Sequence, residues 1–302
     1  MINWDNYIGR NKRADLPLEK VVDWDITSRC NYKCSYCLGS GSSLPDNLKK
    51  IKEKNPDPLL ILDNLFKKLS QDWNFNIGGA GEPFLAPNFL KVIEKLVEKG
   101  HGIGVVSNFS FSKRKISQFF KIAADNLSHF NASLHLEQAD LSEFLEKSFL
   151  AQEFIGNRFS VLSVARKGRV SQLKKVGEKF KKNGIRFTIQ LEKDYYSDKG
   201  PYVEYNKEEA SIIGDFRKDL SSKEMMRLKG NLCWAGSKYF VLDERGEAWC
   251  CYTARKAKDK RGYSGNILDN TFELRKSPNF CRYEYCTCIV PVRLGLVDRK
   301  KK

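Results

Sequence analysis

A chain of 302 residues, 41% hydrophobic and 30% charged, has the composition of a folded globular protein and suffices for one large domain with a small appendage. The stretch from Met1 to Arg13 mixes acids, amides and bases, and nowhere do eighteen consecutive apolar residues occur, so neither a signal peptide nor a membrane span is expected and the prediction is cytoplasmic. The formal charge of +16 suits phosphate-bearing ligands, but the basic stretches Lys49 to Lys54, Lys174 to Lys182 and Lys256 to Arg261 lack interleaved aromatic residues, which argues against nucleic acid.

In chain order, residues 1–20 read as an N-terminal extension. From 21 to 192, short β-branched or aromatic runs alternate with amphipathic stretches, the pattern of repeated βα units around a parallel sheet. Strands are expected at Val21 to Thr27, Phe75 to Ile77, Ile103 to Ser107, Asn131 to Leu136, Phe159 to Ala165 and Ile185 to Leu191. Helical stripes fall on Leu59, Leu62, Phe66 and Leu69, then on Phe89, Ile93, Leu96 and Val97, with Gly100 ending the second. Further helices are expected over Lys113 to Ala124, Leu141 to Leu150 and Val170 to Lys182, the last closed by Asn183-Gly184.

Residues 193–230 read as a linker with a helix over Lys207 to Phe216. The remainder, 231–302, holds six of the nine cysteines and a hairpin in which Tyr239 to Leu242 and Glu247 to Cys251 flank Asp243-Glu244-Arg245-Gly246. Nine cysteines in a chain expected in a reducing compartment point to metal ligands or catalytic thiols more than to disulfides.

Cys30, Cys34 and Cys37 follow the first expected strand directly, at the strand end where parallel α/β folds build their sites. Soft thiolates select iron-sulfur clusters, zinc or copper, and a closed structural site needs four protein ligands. Only three are near, since the first histidine is His101. A cubane held by three thiolates leaves one iron open for a small ligand's amine and carboxylate; a zinc site completed by a distant cysteine is the alternative.

The spacing CxxxCxxC with Tyr36 before the third cysteine resembles the signature of radical S-adenosylmethionine (SAM) enzymes. Gly78-Gly79-Ala80-Gly81-Glu82-Pro83 is similar to that family's glycine-rich motif, whose glycines let backbone approach SAM closely. The resemblance covers residues 20 to 192 and implies an α/β partial (β/α)6 TIM-like barrel. It further implies a [4Fe-4S] cluster on Cys30, Cys34 and Cys37, with SAM contacted by Tyr36, Gly79, Gly81, Glu82, Ser107, Asn108, Ser133 and Arg166. For Arg166 a solvated side chain, and for His135 on the same strand face as Ser133 a satisfied core imidazole, are the competing readings. The chemistry implied is electron transfer to the SAM sulfonium, giving a 5′-deoxyadenosyl radical that takes hydrogen from a substrate C–H bond.

Cys233, Gly246 and Cys251 in the pattern C-x12-G-x4-C, with Gly265-Asn266-Ile267 and the trailing Cys281, Cys286 and Cys288, resemble the SPASM/Twitch extension of these enzymes, a small cysteine-rich α+β domain. That implies one auxiliary [4Fe-4S] cluster on Cys233, Cys251 and two of the trailing cysteines, zinc again being the alternative. Cys250 is either a buried thiol or a hydrogen-atom donor to the substrate. The expected substrate is a small polar molecule, a sugar, sugar nucleotide or aminocyclitol, with the positive charge favouring phosphate. Dehydrogenation and epimerisation are both open, with flavodoxin or ferredoxin as electron donor. Peptide maturation is the second reading, disfavoured by the mere 29 residues before Cys30; a zinc-binding adaptor is the third, outside catalysis.

Overall fold

The computed structural model describes residues 7–8, 19–37, 55–194, 202–216, 227–286 and 290–300. Cys288 and the basic stretch at 49–54 lie outside the described residues, as do most of the N-terminal extension and parts of the linker. After β1 (Tyr7–Ile8) the main unit runs β2 (Lys20–Trp24), α1 (Pro58–Lys68), β3 (Trp73–Ile77), α2 (Phe89–Glu98), β4 (Ile103–Ser107), α3 (Lys113–Ala123) and β5 (Leu127–Ser133). It continues with α4 (Leu141–Ile155), β6 (Phe159–Ala165), α5 (Val170–Lys182), β7 (Phe187–Leu191) and α6 (Lys207–Phe216). Strands β2 to β7 lie side by side in sequence order and all parallel, as successive βα units dictate.

The helices form where capping and patterning ask for them. Asp57 caps α1, accepting from the Leu59 N–H, with Pro58 in the first turn. Asp140 caps α4 by accepting from the Glu143 N–H. Gly100 and Gly184, at φ 73° and 70°, end α2 and α5 in the left-handed conformation their lack of a Cβ allows.

Each strand sends one set of side chains into the helix layer. Trp24, Phe75, Ile77, Val105, Phe130, Ala132, Val161 and Ile189 are buried in one core with the apolar faces of α1 to α5. Alternation turns the other set inward, where most are polar: Asp23, Asn74, Asn76, His129, Asn131, Ser133, Ser160, Thr188 and Gln190. A packed core thus lies on one face of the sheet, and mostly polar side chains lie on the other.

The inward polar residues explain one misreading. The fourth parallel strand occupies Leu127–Ser133, not Asn131 to Leu136: Ser128 and His129 break the apolar run, yet Phe130 and Ala132 anchor the strand outward. The first strand ends at Trp24, and α4 runs on to Ile155, where Gly156 stops it.

The chain then forms β8 (Leu232–Cys233), β9 (Tyr239–Leu242), β10 (Glu247–Trp249), α7 (Tyr252–Lys256), β11 (Tyr263–Asn266), β12 (Asn279–Phe280), α8 (Val290–Arg293) and β13 (Val297–Lys300). The hairpin β9–β10 does not stand apart. Its β9 pairs in parallel with β2, Val21 opposite Tyr239 and Trp24 opposite Leu242, so the main sheet extends through β10 to β11. A second, antiparallel sheet in the order β1-β13-β8-β12 carries Cys233. No helix among the described residues is long and apolar enough to cross a membrane.

Candidate functional site: two thiol clusters on one sheet

Beyond Trp24 the chain leaves the ladder and carries Cys30, Cys34 and Cys37 across the C-terminal ends of the parallel strands. The Cys37 N–H bonds the Cys34 carbonyl in a turn, and the Cys30 sulfur accepts from the Tyr32 N–H at 3.4 Å and from Asn108 Nδ2 at 3.6 Å. Burial pushes the Cys30 thiol above its ordinary value and that of Cys34 to about 11, with the neighbouring thiols' charge adding to the rise. Sulfurs that feel one another and accept N–H bonds suit a cluster, and a metal that binds them must displace protons. Among the described residues no three Cys, His, Asp or Glu side chains converge as they would on a single ion. Thiolates on a cubane bind different irons and need no such convergence.

The glycine-rich turn packs directly beneath this loop. Gly78 and Gly79 have φ of 155° and 105°; a Cβ on Gly79 would collide with Asp25 Oδ1 and come within 2.7 Å of the Tyr252 hydroxyl. A Cβ on Gly81 would lie 2.5 Å from the Thr27 and Arg29 carbonyls, so only glycine fits. Glu82 is buried, and its carboxylate accepts from the Phe84 N–H, the Ser107 hydroxyl (2.9 Å) and the Asn108 N–H (2.6 Å). Burial raises it to about 7 against these bonds. Glu82 thereby ties the glycine turn to the end of β4, where Asn108 reaches Asn31 at 2.9 Å. Phe109 next door is held at φ 59°, costly for a bulky residue. Its fully buried ring packs on Phe130, Phe144 and Phe159, which offsets that cost.

On the far side of the mouth the Tyr36 hydroxyl shares a 2.8 Å hydrogen bond with His135 Nδ1, and Tyr32 meets the same imidazole edge-on. Burial lowers His135 to about 4, so it is neutral at neutral pH. Arg166 lies over the Tyr36 ring and pairs with Glu137 at 2.9 Å and Glu192 at 3.6 Å. These residues and Ser133 gather at the mouth; His101 instead is structural, bonded to the Trp73 carbonyl and stacked on Phe66.

A second group was invisible to sequence patterning. Asp25 is buried and binds the Tyr252 hydroxyl (2.6 Å) and Arg255, while Asp23 binds Asn76 and the Tyr239 hydroxyl (2.6 Å). Burial raises both carboxyls, Asp23 to about 6. The one readable signal was an aspartate at alternate positions of an otherwise apolar strand.

The C-terminal thiols meet around another cavity, lined by Cys233, Cys250, Cys251 and Cys281 with Arg261, Arg275 and Tyr283. Cys250 and Cys251 sulfurs are 4.0 Å apart, and their contact lowers the Cys250 thiol against the effect of burial, helped by Arg275. Cys286 is buried outside that lining. Four soft donors line this cavity, but no three of them converge as a single zinc ion would require.

Fold and site together define an α/β protein with three thiols at the C-terminal mouth of a parallel sheet. No protein-family model matches the chain. The curated S-adenosylmethionine-dependent nucleotide dehydratase of Fibrobacter sp. (strain UWH6) is 36% identical over 97 residues, 30% of this chain and 27% of that protein, so the match spans about a quarter of the relative's length. Among solved structures, anSMEcpe with bound AdoMet and Kp18Cys peptide aligns at 17% identity and a TM-score of 0.58, over 83% of this chain and 78% of that one. Streptococcus suis SuiB bound to precursor peptide SuiA aligns at 13% and 0.60, over 87% and 67%. The chain has the fold of radical SAM enzymes, the superfamily its cysteine signature resembles.

Proposed function

We propose that the chain is a radical SAM enzyme acting on a C–H bond of a small polar substrate, a sugar, sugar nucleotide or aminocyclitol, with dehydrogenation or epimerisation as the outcome. The observation that carries this reading is the thiol trio at the C-terminal ends of parallel strands whose inner face carries mostly Asn, Ser, Thr, His and Asp side chains. A [4Fe-4S] cluster on Cys30, Cys34 and Cys37 would supply the electron that cleaves SAM to methionine and the hydrogen-abstracting adenosyl fragment. The chain itself would hold SAM on the Gly79–Gly81 backbone, with Tyr36, Ser107, Asn108, Ser133 and Arg166 around it and Glu82 fixing the turn. An apolar core on the helix side and polar side chains on the other face favour a hydroxyl-rich guest. The stretch similar to a nucleotide dehydratase adds nucleotides to the candidates.

Cys233, Cys251 and Cys281 are the proposed ligands of an auxiliary cluster. The fourth comes from Cys286 or Cys288 if Cys250 is the hydrogen donor, and is Cys250 itself if that thiol is a ligand; Cys250→Ala loses turnover with iron retained in the first case and loses iron in the second. Peptide modification is the second reading, supported by the peptides bound to anSMEcpe and SuiB.

The deciding experiment is anaerobic reconstitution followed by deuterium transfer from labelled sugars, nucleotides and peptides into 5′-deoxyadenosine. About eight irons per chain and transfer from a sugar or nucleotide are expected. Transfer from peptides alone would favour the second reading, and stoichiometric zinc without iron would sink the enzyme altogether.

A further inference from the structure

The stretch from Asp25 to Cys37 has no strand or helix of its own, so something other than a backbone ladder must shape it. Two serines in it are held in the same way. Ser28 donates its N–H to Glu244 Oε2 at 2.7 Å and its hydroxyl to Glu244 Oε1 at 2.6 Å. Ser35 donates its N–H to Glu137 Oε2 at 2.9 Å and its hydroxyl to Glu137 Oε1 at 2.8 Å. Each carboxylate therefore takes both donors of one serine with both oxygens, a geometry that fixes orientation as well as distance.

The two clasps are interleaved with the sulfurs. Ser28 lies just before Cys30, and Ser35 lies between Cys34 and Cys37. Their carboxylates come from opposite directions. Glu137 follows β5 and is itself braced by Arg166 and, at 3.9 Å, by Arg169. Glu244 sits at the tip of the β9–β10 hairpin, whose far strand leads directly into Cys250 and Cys251.

We infer that Glu137 and Glu244 are positioning residues that pre-shape the N-terminal thiol loop, and that through Glu244 the C-terminal cysteine hairpin sets the geometry of the N-terminal site. The inference rests on the radical SAM reading for its ligand, but not for its hydrogen bonds. Side chains that orient metal ligands from behind typically change metal affinity or activity about 10- to 100-fold when removed. A clasp anchored on the second thiol region makes the two sites interdependent without any shared ligand.

The test uses the full chain and two readouts. In metal-free protein, alkylation of Cys30, Cys34 and Cys37 by iodoacetamide, mapped by mass spectrometry, should quicken several-fold in Ser28→Ala and Glu244→Ala. In reconstituted, reduced protein, the electron paramagnetic resonance change on adding SAM should need roughly tenfold more SAM in those variants and in Glu137→Ala. Ser28→Thr keeps both donors and should behave as wild type. Ser28→Ala leaves the backbone N–H bond to Glu244 in place, so it should cost less than Glu244→Ala, and the double variant should cost no more than Glu244→Ala alone. Single variants that match wild type in both readouts, or a double variant with additive losses, would overturn the inference. A wild-type protein whose signal ignores SAM would instead overturn the radical SAM reading and leave the alkylation result to judge the clasps.

Discussion

The two thiol regions are built on opposite principles. Around Cys233, Cys250 and Cys251 the sulfurs ride on or beside short strands, and ladder hydrogen bonds between β8, β9, β10 and their neighbours hold them. Around Cys30, Cys34 and Cys37 the backbone has left the sheet, and distant parts of the chain do the holding: the side chains of Asn108, Glu137 and Glu244, and the Glu82 N–H on the Arg29 carbonyl. A loop shaped this way is not crowded by regular structure, and its geometry rests on those remote contacts.

The sharpest way to break this contrast is to remove one sulfur from each region. Cys34→Ala should abolish 5′-deoxyadenosine formation and lower iron from about eight to about four per chain. Cys281→Ala should cause the same iron loss yet leave SAM cleavage measurable while substrate turnover falls. Iron and 5′-deoxyadenosine assays distinguish the two, and equal loss of cleavage in both variants would mean that the regions do not divide the work.

A smaller effect is expected beneath the first loop. Gly79→Ala places a methyl group against Asp25 and Tyr252 at a left-handed φ, and should cost about 2 kcal/mol in a urea titration of the metal-free chain. An unchanged midpoint would mean that the turn relaxes freely.

A pH effect of comparable size is expected at the buried Asp23. Burial raises the folded-state Asp23 carboxyl from 3.8 to about 6, so its stabilising contribution is complete below 3.8 and disappears as pH rises through about 6. Asp23→Asn should therefore flatten the melting temperature of the metal-free chain across that window. Parallel profiles for the two proteins would place the titration elsewhere.

The same contrast explains what could be read in advance. Ile103–Ser107, Phe159–Ala165 and Val170–Lys182 appear with their expected bounds, because apolar alternation or helical spacing runs cleanly up to a turn. The strand at Leu127–Ser133 was displaced because its inner face carries polar residues where a strand pattern looks for apolar ones. The cysteine and glycine motifs were legible as local strings. The Glu244 clasp joins residues 216 apart, and Asp25 meets Tyr252 across 227 positions, separations at which one sequence carries no signal. Pairing of β9 with β2 was hidden for the same reason.

That pairing also bears on biogenesis. β2 is an interior strand whose second neighbour is delivered only after all six helices from α1 to α6. While the ribosome is still working on the middle of the chain, the nascent protein has its first sulfurs but an open flank beside them. Contacts of such long sequence range form slowly. On the radical SAM reading, a cluster delivered before β9 pairs with β2 would meet an unfinished cradle.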